Sequence, residues 1–186
     1  MNVMSSDSRL QQARAMWQWV GEGRPPFAVA PALGQESVWD YPRPPRVAAD
    51  LREVIVKLGD TVVARTRRAL RVLETASPPT FYLPIADVKM PLIEPATGSS
   101  HCEWKGVARY FSVRVEHDLR TAVGWTYPDP HPEYAALRDH LSFYPGRIEC
   151  TVDGVRVAPQ PGTFYGGWVT PELVGPFKGE PGSGSW

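Results

Sequence analysis

The stretch "WKGVARYFSVRVEHDLRTAVGWTY" (residues 104–127) decides the fold, because its alternating pattern predicts two neighbouring strands, 104–116 and 121–127, joined by a tight connection. Successive side chains of a strand point to opposite faces of its sheet. One face of the first strand carries Lys105, Val107, Arg109, Phe111, Val113 and Val115. The other face carries Trp104, Gly106, Ala108, Tyr110, Ser112 and Arg114. The first face is the more apolar and is expected to pack against the core, whereas the second surrounds very small residues with large aromatic rings.

The second strand is expected to add aromatic residues to that second face. If residues 117–120 form the loop, Tyr110 lies opposite Tyr127 and Ser112 lies opposite Trp125. The rings then surround the free space above the small residues. The predicted aromatic-walled concavity is lined by Trp104, Tyr110, Trp125 and Tyr127.

This concavity depends on the register of the two strands, because a shift of one residue would send Trp125 and Tyr127 to the opposite face. The second interpretation is ordinary packing. In that case the glycine- and proline-rich tail covers this face, and Phe164, Tyr165 and Trp168 fill the gap. The sequence leaves both interpretations open.

The whole chain predicts about eight short strands and two helices. A helix is expected over 8–20, ending at Gly21 and Gly23, and a short helix over 128–141, with Pro132 near its start. The other expected strands are a hairpin over 52–65 turning at Gly59-Asp60, single strands over 69–74 and 80–84, and a hairpin over 147–159 turning at Asp153-Gly154.

These elements predict a mainly β, antiparallel domain, because the strand–helix–strand alternation of parallel sheets is missing. Residues 85–95 contain too many prolines to form a full element. We divide the chain into an N-terminal helix with a proline-rich arm (1–35), a β domain (36–160) and a Gly/Pro-rich C-terminal extension that packs on the sheet (161–186). Residues 180–186 are expected to be disordered.

Charge and composition exclude several classes of protein. Twenty basic and twenty acidic residues give a formal net charge of zero, which argues against a nucleic-acid partner. The basic stretch "ARTRRALR" (64–71) is interpreted as a solvated strand face. No run approaches the roughly 18 apolar residues of a membrane span, and the N-terminus lacks a signal-peptide pattern, so a cytoplasmic protein without a membrane partner is expected. Cys102 and Cys150 are then expected to be free thiols.

Lys105, Tyr127 and Asp129 are the candidate catalytic residues. A buried Lys105 is expected to have a lowered pKa and to act as a base, an imine-former or a carboxylate anchor, although a lysine at a strand end also extends to solvent. Tyr127 would supply a hydrogen bond. Asp129 is held between Pro128 and Pro130, which suits an acid, a base or a hydrogen-bond acceptor but equally a rigid turn.

Cys102 directly follows His101 and suggests a nucleophile beside its base. Neighbours on a strand point to opposite faces, however, so His101 is poorly placed to deprotonate the thiol, and a buried inert cysteine is expected. The histidines and cysteines lack metal-ligand spacing, so neither a metal site nor a cofactor is expected.

Several segments resemble the family catalogued as domain of unknown function 427. They are "ESVWDYPRPPR" (36–46), "TFYLPIADV" (80–88), "HCEWKGVARYFSV" (101–113), "GWTYPDP" (124–130) and "LSFYPGRIECTVDG" (141–154). The tail "FYGGWVTPELVGPFKGEPG" (164–182) resembles an extension found in one branch of that family. The resemblance implies a small all-β fold of the β-tent type, whose relatives include zinc-binding and small-molecule-binding domains.

Two implied activities do not transfer to this sequence. The chain has no paired CxxC motifs, so the zinc site of those relatives is not expected here. It also lacks a Gly-Ser followed by paired aspartates, so two-metal nucleotidyl transfer is not expected.

The leading hypothesis is a small-molecule-binding β-tent-like domain with an aromatic-lined pocket for a small planar or polar metabolite. It is also an enzyme if the three candidate catalytic residues act on that metabolite. The expected binding residues are Trp104, Tyr110, Trp125, Tyr144 and Trp168. The alternative is a protein-interaction or dimerisation module, such as a homodimer, that uses the basic strand and the proline-rich arm.

Overall fold

The structure is a computed structural model that describes residues 6–186, in which one α-helix, α1 (Ser6–Ala15), precedes a series of short strands. The strands are β1 (Glu36–Ser37), β2 (Arg46–Asp50), β3 (Val54–Leu58), β4 (Thr61–Thr66), β5 (Ala69–Glu74), β6 (Ser77–Pro84), β7 (Ile93–Cys102), β8 (Gly106–Val115), β9 (Asp118–Thr126), β10 (His140–Phe143), β11 (Glu149–Val152), β12 (Val155–Arg156), β13 (Ala158–Pro159), β14 (Trp168–Val169) and β15 (Leu173–Val174). Short 3-10 helices lie at Val38–Asp40, Ile85–Asp87, Met90–Leu92, Pro132–Leu137 and Ser183–Ser185.

Two antiparallel sheets form the body of the molecule. Seven strands form the larger sheet in the order β2-β5-β6-β10-β9-β8-β7, and four form the smaller sheet in the order β12-β11-β3-β4. Strands β13 and β14 form a short antiparallel pair, whereas β1 and β15 pair in parallel. The predicted mainly β, antiparallel fold is therefore confirmed, as are the two hairpins that turn at 59–60 and 153–154.

The main hydrophobic core lies between the two sheets. The smaller sheet contributes Val54, Val56, Leu58 and Val63, and the larger sheet contributes Phe81, Leu83, Phe111, Val113, Val123, Leu141 and Phe143. Trp168 of the C-terminal segment joins this core, because its ring stacks on Phe81 with 4.8 Å between centroids. Its indole N–H donates to the backbone oxygen of Phe143 over 2.9 Å. Burial of these apolar side chains holds the sheets together.

The opposite face of the larger sheet is covered by segments from both ends of the chain. Next to it, Trp39 is the centre of an aromatic cluster in which Phe27 and Trp186 each lie 5.3 Å from its ring. The expected disorder of the final residues is therefore wrong for Trp186, which packs against this cluster. Burial of its ring and a stacked contact with Phe27 stabilise this end of the chain.

Strands β8 and β9 form the predicted central hairpin, but in a different register. The turn is the pair 116–117 instead of the predicted loop 117–120, because two-residue turns match the twist of antiparallel strands. Tyr110 consequently pairs with Trp125 and not with Tyr127. The predicted and observed partners of Tyr110 are two residues apart, an even number, so Tyr110 and Trp125 still share one face.

Gly124 of β9 leaves room for an aromatic contact across its own strand. Phe111 on β8 and Phe143 on β10 both pair with Gly124, and their rings meet edge to face at 5.2 Å. A Cβ atom on Gly124 would overlap the Phe111 ring and the backbone oxygen of Ser142. The two phenylalanines thus cover a position that only glycine can occupy without movement of its neighbours.

The N-terminal helix is shorter than predicted. It ends at Ala15, whereas the sequence predicted a helix over 8–20. Trp17 and Trp19 pack in different clusters, Trp17 beside the aromatic face of the large sheet and Trp19 edge to face with Trp39 at 6.3 Å. These tertiary contacts outweigh the helical spacing of the residues that follow the helix.

The short helix predicted over 128–141 is present in a shorter form, the 3-10 segment Pro132–Leu137, and the residues from His140 onward belong to strand β10. The backbone is kinked at Tyr134, and both Tyr134 and Leu137 are buried. The spacing of the apolar residues suited this shorter helix as well as an α-helix.

Strand β7 has no counterpart in the prediction, which treated residues 85–95 as broken by proline. It is the edge strand of the larger sheet and includes Pro95. An edge strand tolerates proline because one side of its backbone needs no sheet partner. The division of the chain at residues 35 and 160 stays a prediction.

Replacement of Gly124 by alanine is expected to lower the free energy of unfolding by about 1–3 kcal/mol, because the added methyl group overpacks the contact between Phe111 and Phe143. Urea denaturation followed by circular dichroism measures this change. Gly23→Ala is the matched control, because nothing lies within 4 Å of a Cβ at Gly23. If Gly124→Ala were as stable as Gly23→Ala, the packing argument would fail.

Candidate functional site

A cavity of about 250 Å³ lies on the aromatic face of the larger sheet. Its volume is just below the usual range of ligand pockets, roughly 300–1,000 Å³, and suits a small ligand. The rings that line it on the sheet side are Tyr82, Trp104, Tyr110, Trp125, Tyr127 and Tyr144. Its charged lining residues are Glu74, Glu103, Lys105 and Lys178.

The turn between β7 and β8 brings Trp104 and Lys105 to the same cavity. Cys102 pairs with Gly106, and residues 103–105 form the turn between them. Gly106 has a φ of +99°, a backbone conformation that glycine adopts without strain. Because 103–105 lie outside the strands, Lys105 does not follow the predicted alternation, which placed it on the face opposite Trp104.

Trp125 anchors the aromatic wall. Its indole N–H donates to the Tyr82 hydroxyl over 3.3 Å, and the two rings meet edge to face at 6.2 Å. The Tyr144 ring lies 4.5 Å from Trp125 on another side. Edge-to-face and tilted contacts of this kind hold aromatic rings in fixed orientations. The wall is therefore rigid before any ligand arrives.

Burial keeps the tyrosine hydroxyls of this wall protonated. Desolvation raises the pKa of Tyr82 to about 12 and the pKa of Tyr144 to about 12. Desolvation likewise raises the pKa of Tyr127, with a further contribution from Tyr82 beside it. At neutral pH these groups are hydrogen-bond donors and acceptors rather than bases.

Lys105 supplies a buried positive charge at the cavity. Burial alone would lower the pKa of its ammonium, but charge interactions with its neighbours raise that pKa above its ordinary value, and Glu74 is the neighbour that carries a negative charge while the tyrosines are protonated. The pKa of Lys105 is thus shifted upward, whereas burial alone predicted a lowered pKa. Its Nζ lies 4.0 Å from the nearer carboxylate oxygen of Glu74. Lys105 is therefore a cation at neutral pH and not a free amine.

Trp17 and Lys178 close the cavity from outside the sheet. The Lys178 ammonium lies 3.2 Å from the centre of the Trp17 ring and donates to the backbone oxygen of Trp186 over 3.2 Å. The Trp17 indole N–H donates to Glu103 over 3.1 Å. Burial, with the nearby Arg43 cation, lowers the pKa of Lys178 to about 8. We call the contact of Trp17 with Lys178 the terminal clasp.

Sequence reasoning missed Trp17, Glu74 and Lys178 as lining residues. Trp17 was assigned to the apolar side of a helix, and Glu74 to the end of a strand. Lys178 lies among glycines and prolines of the tail, where no periodic pattern indicates a direction. These residues come together only through contacts between distant parts of the chain, which local patterns do not encode.

Two predicted site residues lie outside the cavity. Asp129 has an exposed side chain that forms an ion pair with Arg138 at 3.2 Å, on a separate shallow depression that also contains His131. Trp168 lies in the core between the sheets, stacked on Phe81. The other predicted site residues, Trp104, Lys105, Tyr110, Trp125, Tyr127 and Tyr144, all line the cavity.

The two cysteines are free thiols in different surroundings. Cys102 lines the cavity, whereas Cys150 is buried in the core, where desolvation raises the pKa of its thiol. The exposed ring of His101 lies 6.4 Å from that of His131, edge to face. Among residues 6–186, no hydrogen bond joins His101 to Cys102, so the structure brings no imidazole base to the thiol.

The basic stretch is neutralised by acidic neighbours. Arg65 and Arg67 each lie 3.6 Å from Glu53, and Arg68 lies 2.6 Å from Asp87. The three arginine side chains are exposed, so these ion pairs add little to stability.

The described part of the chain offers no group of three or more histidine, cysteine, aspartate or glutamate residues that could hold a metal ion. Between residues 6 and 186, no helix is long and apolar enough to cross a membrane.

Comparison with known proteins confirms the resemblance seen in the sequence. The family model described as "Domain of unknown function (DUF427)" matches residues 46–154, more than half of the chain. The match begins at strand β2 and ends in the turn after β11, so it includes the aromatic wall and Lys105 but not Trp17 or Lys178. No curated protein matches the chain.

The lowered pKa of Lys178 predicts a distinct pH dependence of stability. The ordinary pKa of lysine is 10.5, so between about pH 8 and 10.5 the unfolded chain holds more protons at this position than the folded chain. The contribution of Lys178 to the free energy of unfolding is therefore lowest below pH 8 and rises up to pH 10.5.

Urea denaturation of the wild type and of Lys178→Met at a series of pH values measures this contribution. The difference between their free energies of unfolding is expected to shift in favour of the wild type as the pH rises from about 8 to 10.5. A difference that stays constant over this range would contradict the assignment.

Proposed function

This chain belongs to the DUF427 family, and we propose that it is a β domain that binds a small planar metabolite in its aromatic-lined cavity. The observation that carries the proposal is the cavity itself. A space of about 250 Å³ remains open between rigid rings, although the terminal segments pack across the same face of the sheet. Apolar walls with a few polar groups are typical of ligand sites.

The tail does not fill the cavity, which supports binding over ordinary packing. Phe164 and Tyr165 have 67% and 38% of their surface exposed and lie at the edge of the cavity. Trp168, the third ring that the packing interpretation placed in the gap, packs in the core on the other side of the sheet. The tail thus narrows the cavity without occupying it.

The chemistry of the lining favours binding as the primary activity. Lys105 is charged and the buried tyrosines are protonated, so these groups donate hydrogen bonds but do not remove protons. Lys178, whose pKa is about 8, is the lining residue best suited to proton transfer near neutral pH. An enzymatic activity in this cavity would therefore depend on Lys178 more than on Lys105.

A protein-interaction module is the second candidate, and one observation favours it. The proline-rich arm exposes Val29 and Leu33, which have 52% and 105% of their surface accessible. Both lie in an arm that is otherwise tied to the C-terminal segment, where the Val29 N–H donates to the backbone oxygen of Gly175 over 2.9 Å. Light scattering would detect a homodimer formed by this surface. A cytoplasmic location, suggested by the two free thiols, remains part of the proposal.

A matched pair of substitutions tests the cavity as a ligand site. Ser100 lines the cavity opposite Ala108, and its neighbour Ser99 is exposed opposite Arg109. Ser100→Trp is expected to fill the cavity and abolish the binding of small aromatic compounds, measured by tryptophan fluorescence and by calorimetry. Ser99→Trp adds the same ring on the solvent side and should bind as the wild type does. Equal binding by both variants would refute the proposal.

A further inference from the structure

Lys105 is a buried cation that lacks a hydrogen-bond acceptor. The residue has only 8% of its surface exposed. Within residues 6–186 its ammonium makes no hydrogen bond, and its nearest carboxylate oxygen, on Glu74, is 4.0 Å away. The Lys105 Nζ is not one of the fully buried polar atoms without a partner, so the ammonium reaches the open space of the cavity. An acceptor supplied by a ligand there would give the ammonium the hydrogen bond that residues 6–186 do not.

The two carboxylates of the cavity are already engaged by other donors. Glu74 accepts from the Arg43 guanidinium over 3.4 Å. Glu103 accepts from the Trp17 indole N–H over 3.1 Å. Neither carboxylate therefore has to leave its partner for Lys105 to bind an external anion.

The four charged residues that line the cavity balance one another, and the Arg43 cation next to Glu74 adds one positive charge. The cations Arg43, Lys105 and Lys178 interact with the carboxylates Glu74 and Glu103, which gives three positive charges against two negative ones. Arg14, the next cation beside this face, adds no net charge because Glu133 lies 3.9 Å from it. The excess matches a ligand with a single negative charge better than a phosphate monoester, which carries about two.

The hydroxyl of Tyr127 adds a second donor near Lys105. Tyr127 is 5% exposed and lines the same cavity, and in the described chain its hydroxyl has no hydrogen-bond partner. Lys105 lines the same cavity. An ammonium and a hydroxyl together suit the two oxygens of one carboxylate.

We propose that the ligand is an aromatic or heteroaromatic carboxylate, with its ring against Trp104, Tyr110 and Trp125 and its carboxylate bound by Lys105 and Tyr127. This inference rests on the proposed function of the cavity and names the chemical class of its ligand. The aromatic wall binds the ring by stacking and edge-to-face contacts. The carboxylate gives Lys105 the acceptor that the protein itself does not provide.

Benzoate and benzamide form a matched pair of probes, because they share one ring and a similar shape but differ in charge. Titration calorimetry at pH 7 should show that the wild type binds benzoate about ten-fold or more tightly than benzamide, the range expected for hydrogen bonds to a charged group. Lys105→Met should remove this preference by weakening the binding of benzoate far more than the binding of benzamide. Lys89→Met, a change at an exposed lysine outside the cavity, should keep the wild-type affinities.

Tyr127→Phe tests the second donor while it keeps the ring. This variant should bind benzoate about three- to ten-fold more weakly and lose less affinity for benzamide. Circular dichroism and thermal melting establish that each variant is folded. Should Lys105→Met fail to fold, Tyr127→Phe and the preference of the wild type still decide the question.

The outcomes separate this inference from the proposed function. If the wild type binds benzamide or other neutral aromatic compounds at least as tightly as benzoate, the carboxylate assignment is overturned and the cavity remains a ligand site. Unchanged benzoate affinity in both Lys105→Met and Tyr127→Phe would also overturn the carboxylate assignment and leave the cavity as a ligand site. If no small aromatic compound binds, and Ser100→Trp and Ser99→Trp behave alike, the proposed function itself fails.

Discussion

Strand β9 has to serve two environments at once, and the rest of the structure depends on this constraint. Gly124 faces the core, where its lack of a side chain allows Phe111 and Phe143 to meet across the strand. Trp125, the next residue, faces the cavity and donates to Tyr82. A register shift of one residue would place an indole in the filled core and remove the wall of the cavity. The packing of the core therefore fixes the geometry of the site on the other face.

The features predicted well from the sequence are those that short-range physics determines. The hairpins with Gly59-Asp60 and Asp153-Gly154 turns follow from residues that favour tight reversals. The aromatic face was predicted with the wrong partners, yet Tyr110 and Trp125 share it, because the register differs by an even number of residues. Strand β10 was mistaken for the end of a helix, since four residues carry too little pattern to distinguish the two.

The rest of the candidate site comes from long-range contacts that no local pattern predicts. Lys105 turns into the cavity because it precedes the strand, and the Glu74 carboxylate lies close to its charge. Trp17 and Lys178 reach the same place from opposite ends of the chain. The residues matched by the family model thus supply the floor and its charge, while the segments outside that match supply the cover.

The sheet residues of the cavity and the terminal clasp have separate roles. Lys105 and the aromatic wall belong to the sheet and govern how strongly a ligand is held. The contact of Lys178 with Trp17, by contrast, joins two segments outside the family match, and the Lys178 N–H also donates to the backbone oxygen of Ala76 over 2.7 Å. If the cavity binds a ligand as proposed, this contact borders the path by which that ligand enters and leaves. Changes in the terminal segments would then alter the residence time of the ligand, and also its affinity, because Trp17 and Lys178 line the cavity.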